Sequence, residues 1–96
     1  MKHDTDKYTP SLIYTSLLVG ISRVRKYGIK KYGSDTDWKT TESIRHLDAA
    51  IRHIRAVIDG EDFDKHSHFL HLSHAAANIM FEIERIREDA IEETQK

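Results

Sequence analysis

Three segments of the chain carry apolar residues at a spacing of three to four positions, which is the period of an α-helix. No sustained strand-like alternation of apolar and polar residues occurs anywhere in the sequence. The pattern therefore predicts an all-α fold, a small bundle of three to four helices. The periodic residues are Leu12, Ile13, Leu17, Gly20, Ile21 and Val24, then Leu47, Ala50, Ile51, Ile54, Val57 and Ile58, and finally Leu72, Ala75, Ala76, Ile79, Met80, Ile83 and Ile86.

Local signals predict where these helices begin and end. Thr9 and Pro10 are the residue types expected at an N-cap and at the first helical position. Gly28 and Gly33 are expected to stop the first helix, because glycine is a poor residue for a helix interior. The later helices are predicted over residues 41–59 and 69–93.

Length and composition indicate one domain with a thin core. The chain has 96 residues, of which 39% are hydrophobic, and a chain of this size buries a modest fraction of its surface. We expect a single helical domain over residues 1–96, with loose ends at 1–8 and 90–96. We also expect the core to be completed by homo-oligomerisation.

Charge and hydropathy exclude several classes of partner. The net charge of −1 gives no basic field for duplex nucleic acid. No apolar run approaches the roughly 20 residues needed to span a bilayer, and no signal peptide begins the chain. The absence of cysteine is typical of an intracellular protein. The expected location is therefore the cytoplasm, with no membrane partner.

The third predicted helix contains a narrow polar stripe. At about 100° per residue, His71, His74, Asn78, Glu82 and Arg85 fall on one side of the helix. Apolar residues flank this stripe on both sides, and buried polar groups need partners. The stripe is either a solvated helix side or a site that holds a metal or a ligand.

The second predicted helix offers arginines for phosphate binding. Arg45 and Arg52 share one side with the small residues Ala49 and Ala56, which would allow a phosphate to approach closely. His53 lies on a neighbouring side. The alternative interpretation is a charged exterior held by ordinary ion pairs along the helix.

The connection between these helices is rich in metal-binding residue types. Glu61, Asp62 and Asp64 suit Mg²⁺ or Mn²⁺. They also suit the N-terminus of the following helix, with Asp64 or Ser67 as its cap, and this is the favoured interpretation. The histidines of "HSHFLHLSH" offer a transition-metal alternative, such as zinc, nickel or iron. The chain has no H-E-x-x-H motif, and its His-Asp dipeptide, His3-Asp4, is in the N-terminal tail, so a histidine-aspartate phosphohydrolase centre is not expected.

The stretch "RKYGIKKYG" places lysines beside tyrosines and glycines. Lys30 and Lys31 can reach a phosphate, while Tyr27, Tyr32 or Trp38 can stack on a base. The alternative is that the aromatic residues anchor the loop to a small core, which for Trp38 is the favoured interpretation.

The order of these motifs resembles the phage dATP/dGTP diphosphohydrolase amino-terminal domain family. The shared order is "KYGIKKYG", a tryptophan, "RHLDAAIRHIRAVIDGEDFD", a serine and "HLSHAAANIMFEIE", and it spans about residues 17–84. The residues that carry the resemblance are Gly28, Lys31, Tyr32, Gly33, Trp38, Arg52, His53, Gly60, Glu61, Asp62, Asp64, Ser67, His71, His74 and Asn78.

The resemblance implies a nucleotide pocket. The family is similar to all-α pyrophosphohydrolases, which use Mg²⁺ held by helix carboxylates to cleave nucleoside triphosphates to monophosphate and pyrophosphate. The expected ligand-binding residues are Lys30, Lys31, Tyr32, Trp38, Arg45, Arg52, His53, His71, His74 and Asn78. For an enzyme, His71 and His74 would be catalytic and Mg²⁺ or Mn²⁺ would be the cofactor. The metal ligands would then be Glu61, Asp62, Asp64 and Glu82.

One departure favours binding over hydrolysis. Such pyrophosphohydrolases carry paired glutamates on an early helix, whereas the first helix here contains no carboxylate. We therefore predict a purine-nucleotide-binding protein without a cofactor, its ligand linear or cyclic. In a phage such a protein would sequester a nucleotide signal of host immunity. The alternatives are a metal-dependent dATP/dGTP-type pyrophosphohydrolase and a helical assembly module without a small ligand.

Overall fold

The computed structural model describes residues 7–95 and is built from three helices, which confirms the all-α prediction. Within this range the chain forms no β-strand, only an isolated bridge between Phe63 and Leu70. The helices are α1 (Thr15–Tyr32), α2 (Ser43–Ile58) and α3 (His71–Gln95), with short 3-10 turns at Pro10–Leu12 and Asp37–Thr40.

The first helix begins later than predicted. Thr9 makes no side-chain capping hydrogen bond, and Pro10 opens only a single 3-10 turn. Ile13 and Tyr14 then take extended backbone angles, so α1 starts at Thr15. Leu12 is strongly exposed, which means that no tertiary packing holds this turn in an α-helical conformation.

The two glycines predicted to end α1 behave differently. Gly28 lies inside the helix, because the cost of about 1 kcal/mol for glycine relative to alanine is small beside the packing of α1 on α3. Gly33 does end the helix. It adopts φ +77°, a left-handed conformation that favours glycine, and its N–H donates to the Ile29 carbonyl at 2.7 Å.

The three helices form an open arrangement around α3. α2 packs antiparallel to α3, since His46 contacts Glu82 near one end while His53 contacts His71 near the other. α1 packs against α3 as well, and it makes no comparable contact with α2. The space between α1 and α2, with α3 beneath, is therefore a cleft.

The core of the single chain is very small. Among the described residues, the buried apolar ones are all alanines: Ala50, Ala75 and Ala77. Large apolar residues of α2 and α3 remain exposed. They are Ile44, Leu47, Ile51, Ile54, Ile58, Leu72, Ile79, Ile83 and Ile86. At about 100° per residue, both sets lie to the same side of the antiparallel pair, away from the cleft. We call this surface the apolar face.

The chain ends differ in part from their prediction. α3 continues to Gln95, so residues 90–95 are helical rather than loose, consistent with their strong helix formers. The predicted loose N-terminal end, residues 1–8, lies outside the described residues except for Lys7 and Tyr8. None of the helices within residues 7–95 combines the length and the hydropathy required to cross a membrane.

Gly20 provides a test of the contact between α1 and α3. A Cβ atom at Gly20 would lie 2.4 Å from Ser73 Oγ and 3.2 Å from Ser73 Cβ, so the Ser73 hydroxyl would have to rotate and the Ser73 Cβ would have to move away by a few tenths of an ångström. We expect Gly20→Ala to destabilise the fold by about 1–3 kcal/mol in urea unfolding, the cost of overpacking. Gly28→Ala is the matched control, because a Cβ there meets no atom within 4 Å. It should stabilise α1 by about 0.5–1 kcal/mol. Equal effects of the two substitutions would contradict this packing.

Candidate functional site

A cleft of about 720 Å³ lies between α1 and α2, with α3 as its floor. Its volume is in the range of about 300–1,000 Å³ that small-molecule sites occupy. The cleft gathers most of the predicted ligand-binding residues from separate parts of the chain: Lys31, Tyr32, Trp38, Arg45, Arg52, His53, His74 and Asn78.

The remaining predicted site residues are placed elsewhere. Lys30 is exposed and does not line the cleft. His71 is only 6% exposed and does not line the cleft. It contacts His53, which does line the cleft. Among the predicted metal ligands, Asp64 lines the cleft, whereas Glu61, Asp62 and Glu82 do not.

The cleft carries a concentration of basic side chains. Arg25, Lys31, Arg45 and Arg52 line it, compared with three acidic residues, Asp37, Glu42 and Asp64. Arg25 is tied to the loop, because its guanidinium donates to the Asp35 carbonyl at 2.7 Å and lies 5.1 Å from the centre of the Phe81 ring. Arg45 and Arg52 lie two helical turns apart on α2, so both can contact one extended anion.

Trp38 anchors the loop that follows α1. Its ring stacks on Phe81 of α3 with centroids 5.1 Å apart and an interplanar angle of 8°. Lys39 Nζ lies 5.7 Å from the Trp38 ring centroid. The anchoring interpretation of Trp38 therefore agrees with the geometry, although the ring also lines the cleft and its contact with a base stays a prediction.

A hydrogen-bonded chain holds His74 at the cleft floor. Asp64 Oδ1 accepts hydrogen bonds from the Ser67 hydroxyl and from the backbone N–H groups of His66 and Ser67, at 3.2, 2.9 and 2.7 Å. Because a carboxylate only accepts, the Ser67 hydroxyl must donate to it and accept from His74 Nε2, 2.7 Å away. The unprotonated nitrogen of a neutral His74 is then Nδ1.

Asp64 thus caps a turn of the connecting loop instead of capping α3, which begins only at His71. The loop is closed by backbone hydrogen bonds from Asp64 N to the Phe69 carbonyl at 2.8 Å and from His71 N to the Asp62 carbonyl at 2.9 Å. These bonds place the Asp64 carboxylate beside α2 and α3, although the sequence separates it from both.

His53 connects the cleft to buried His71. Its ring stacks on His74 with centroids 4.6 Å apart, and its Nδ1 lies 2.8 Å from His71 Nδ1. On the far side of the ring, His71 Nε2 contacts Glu61 Oε1 at 2.9 Å. One nitrogen each of His53 and His71 and one oxygen of Asp64 lie within 4.8 Å of one another, a spacing that could hold a metal ion.

The local environment keeps these groups in defined charge states. Burial, together with neighbouring His74 and His71, lowers the pKa of His53 to about 4. Burial also lowers the pKa of His74. For Asp64, burial by itself would raise the pKa, but hydrogen bonds from Ser67 and His66 outweigh it and lower the pKa to about 2. At neutral pH the site therefore contains uncharged imidazoles beside an ionised carboxylate.

Glu82 takes part in a separate buried network. It is 8% exposed, and Oε2 contacts His46 Nδ1 at 2.7 Å, while Oε1 accepts a hydrogen bond from Arg85. Both carboxylate oxygens are therefore engaged. Among residues 7–95, the four carboxylates predicted to hold Mg²⁺ or Mn²⁺ are not grouped with one another, and Asp64 groups instead with His53 and His71. Their role as ligands of Mg²⁺ or Mn²⁺ stays a prediction.

This network predicts how the stability depends on pH. Burial by itself would raise the pKa of Glu82, but hydrogen bonds from His46, Ser43 and Arg85 outweigh it and hold the pKa below its ordinary value of 4.5. The unfolded chain then binds more protons near pH 4, so the contribution of Glu82 to the free energy of unfolding is present above that value and is lost as the pH falls.

We expect Glu82→Gln to lower the free energy of unfolding at pH 7 by about 2–4 kcal/mol, since it breaks a buried charged pair. The difference between wild type and variant should shrink as the pH falls below 4.5. Urea unfolding at several pH values measures this difference. Glu84→Gln is the control, because Glu84 pairs with Arg87 at the surface. A difference that stays constant with pH would contradict the assignment.

Some residues of the cleft were not among the predicted site residues. Arg25, His46 and Phe81 line it but were not predicted to bind a ligand, and Tyr27 was weighed only as a stacking residue. Tyr27 makes edge contacts with Phe69 and His74 at centroid distances of 6.0 and 6.3 Å. In "RVRKYGIKK", Arg25 lies about one turn before Gly28 and nearly two turns before Lys31 on α1, a spacing that helical periodicity could have used to predict Arg25.

Comparison with known proteins identifies the family. Neither the curated proteins nor the solved structures contain a significant match to the chain. The family model described as dATP/dGTP diphosphohydrolase, N-terminal, matches residues 1–95, nearly the whole sequence. This agrees with the motif order and with the helical fold. The chain therefore belongs to the dATP/dGTP diphosphohydrolase N-terminal family.

Proposed function

We propose that the chain binds a purine nucleotide, or a related phosphorylated nucleotide, in the cleft between α1 and α2. The observation that carries this proposal is the cleft itself. It brings four basic side chains from two helices together with aromatic rings and histidines in a volume of about 720 Å³. The family description, which names dATP and dGTP, supports a nucleotide as the ligand.

The cleft offers different contacts to the parts of a nucleotide. Arg45 and Arg52 present guanidinium groups, whose planar fork suits two phosphate oxygens at once. Tyr32 is exposed at the cleft rim, with Lys31 Nζ 5.4 Å from its ring centroid. It is free to stack on a base. Asn78 Nδ2 donates to the His74 carbonyl, which leaves its amide oxygen as an acceptor for a base or sugar.

A nucleotide panel tests the proposal directly. The full chain is titrated with dATP, dGTP, dTTP and a cyclic purine dinucleotide in a calorimeter, with either Mg²⁺ or EDTA present, and each mixture is then analysed by chromatography. We expect purine ligands to bind at micromolar concentration and to be recovered intact. Such a protein would sequester its ligand, as a phage antagonist of nucleotide signalling would. Failure of every nucleotide to bind would favour an assembly module.

Hydrolysis is the second candidate function, and His74 is the observation that favours it. His74 lines the cleft, its pKa is lowered by burial, and its Nδ1 is the unprotonated nitrogen, so it can accept a proton at neutral pH. Release of pyrophosphate from a deoxynucleoside triphosphate in the same panel would establish this function in place of simple binding.

We also infer that the chain assembles with itself through the apolar face. Nothing apolar larger than alanine is buried among the described residues, so the single chain lacks the core that a domain of this length requires. The cleft lies on the opposite side of the α2–α3 pair. A second copy packed on the apolar face would bury both sets of isoleucines in a four-helix arrangement and leave the cleft open.

A further inference from the structure

We propose that His53, Asp64 and His71 bind one divalent transition-metal ion, with Glu61 orienting His71. The three ligands come from α2, from the connecting loop and from the first residue of α3. Their donor atoms lie within 4.8 Å of one another. Ligand atoms around one tetrahedral zinc ion are about 3.3 Å apart, given bonds of about 2.0 Å, so small side-chain rotations complete the site.

The Glu61 contact directs a lone pair of His71 towards the ion. Glu61 Oε1 lies 2.9 Å from His71 Nε2, and a carboxylate accepts, so Nε2 carries the hydrogen. The lone pair of a neutral His71 is then on Nδ1, the atom that faces His53. Histidines that bind metals commonly donate their other N–H to a carboxylate in this way.

The loop fixes the carboxylate ligand before any ion arrives. The three hydrogen bonds that the Asp64 side chain accepts from its own turn all go to Oδ1, and none of them uses Oδ2. Two backbone hydrogen bonds, each 2.8 Å long, hold the turn: His68 N–H donates to the Asp64 carbonyl, and Asp64 N–H donates to the Phe69 carbonyl. His68 adopts a φ angle of +66°, a left-handed conformation, within this turn. The carboxylate is thereby preorganised, which lowers the cost of binding an ion.

The contact between His53 and His71 indicates the kind of ion. Their Nδ1 atoms are 2.8 Å apart, so in the metal-free chain one must donate to the other. An ion between them would accept both lone pairs after His53 changes tautomer. Two imidazoles and one carboxylate favour Zn²⁺ or a neighbouring transition metal over Mg²⁺, which prefers oxygen ligands.

Three protein ligands leave the ion with open coordination positions. His53 and Asp64 both line the cleft, so these positions face the space that we assign to the nucleotide phosphates. Sites of this kind, with three protein ligands and an open position, are typical of zinc ions that contact a substrate. Binding of the ion does not itself depend on the proposed nucleotide function, because all of its protein ligands are in the chain.

The test uses the untagged full chain, stripped with EDTA and free of nucleotide. Zn²⁺ is titrated by calorimetry, and Co²⁺ by visible absorption, whose intensity distinguishes a tetrahedral site from the octahedral aqueous ion. We expect one ion per chain. Affinity should fall more than about a hundredfold in both His53→Gln and Asp64→Asn, and by about 10–100-fold in Glu61→Gln, the loss typical of an orienting carboxylate. His71 is left unchanged, because it is buried and its replacement would disturb the fold.

Two controls separate this site from its alternatives. His68→Asn removes an exposed histidine of the same loop, and asparagine tolerates its positive φ, so metal affinity should not change. Arg52→Glu should not lower the metal affinity, whatever it does to nucleotide binding, because it removes a positive charge that acts on His53. Equal affinity in wild type, His53→Gln and Asp64→Asn would overturn the proposal, as would preference for Mg²⁺ over Zn²⁺. Absence of bound metal would mean that the two histidines form only a hydrogen bond.

Discussion

Arg52→Glu is expected to lower nucleotide affinity by at least about a hundredfold while leaving the helix content unchanged. Arg52 lies on α2 and lines the cleft with an exposed side chain, so its replacement breaks no internal packing. A hydrogen bond to a charged group contributes about 1.5–3 kcal/mol, and each 1.4 kcal/mol is a factor of about ten in affinity. Charge reversal adds repulsion between the new carboxylate and the phosphate.

Arg55→Glu is the matched control for this variant. Arg55 lies on the same helix, pairs with Asp59 at 3.5 Å on the surface and does not line the cleft. Arg55→Glu changes the net charge by the same amount as Arg52→Glu. A loss of nucleotide affinity caused only by the overall charge of the protein would therefore appear in both variants. Calorimetry at two salt concentrations measures the affinities, and circular dichroism reports the helix content. Equal affinities for the two variants would remove Arg52 from the site.

Ile51→Asp is expected to convert the assembled protein into a monomer and to lower its thermal stability. Ile51 is 61% exposed at the middle of the apolar face in the single chain, where an aspartate would cost little. In the proposed assembly this position would be buried, and an unpaired carboxylate there would be strongly destabilising. Light scattering at micromolar concentration should therefore report an oligomer for the wild type and a monomer for the variant.

The control for assembly is Leu12→Asp. Leu12 is 76% exposed, lies in the N-terminal 3-10 turn and is not part of the apolar face. Its replacement removes the same kind of exposed apolar side chain but should leave the oligomer intact. A monomeric mass for the wild type at high concentration would contradict the assembly itself. Dissociation by both variants would indicate an interface that is not centred on the apolar face.

Helical periodicity and local end signals were sufficient to predict much of the fold. The positions of α2 and α3 agree with the prediction to within about two residues, the usual uncertainty of helix ends. Gly33 was predicted to end α1 because glycine is a poor residue for a helix interior, and it does end the helix in a left-handed conformation that suits glycine. Gly28 and Thr9 show the limit of such signals. At Gly28, the cost of about 1 kcal/mol for glycine in a helix is outweighed by the packing of α1 on α3. At Thr9, the local signal for a helix start is not supported by packing, and only a 3-10 turn forms.

The grouping of side chains into sites was decided by the tertiary structure. Periodicity places His71, His74, Asn78 and Glu82 on one side of α3, but it does not say which partner each one meets. Antiparallel packing of α2 brings His46 to Glu82 and His53 to His71, and so separates one stripe into a buried structural hydrogen bond and a candidate metal site. Sequence spacing determines angle along one helix, whereas contacts between helices depend on how several surfaces pack at once. For the same reason, the sequence predicted an apolar stripe on α2, and only the packed helices left that stripe exposed on the face opposite the cleft.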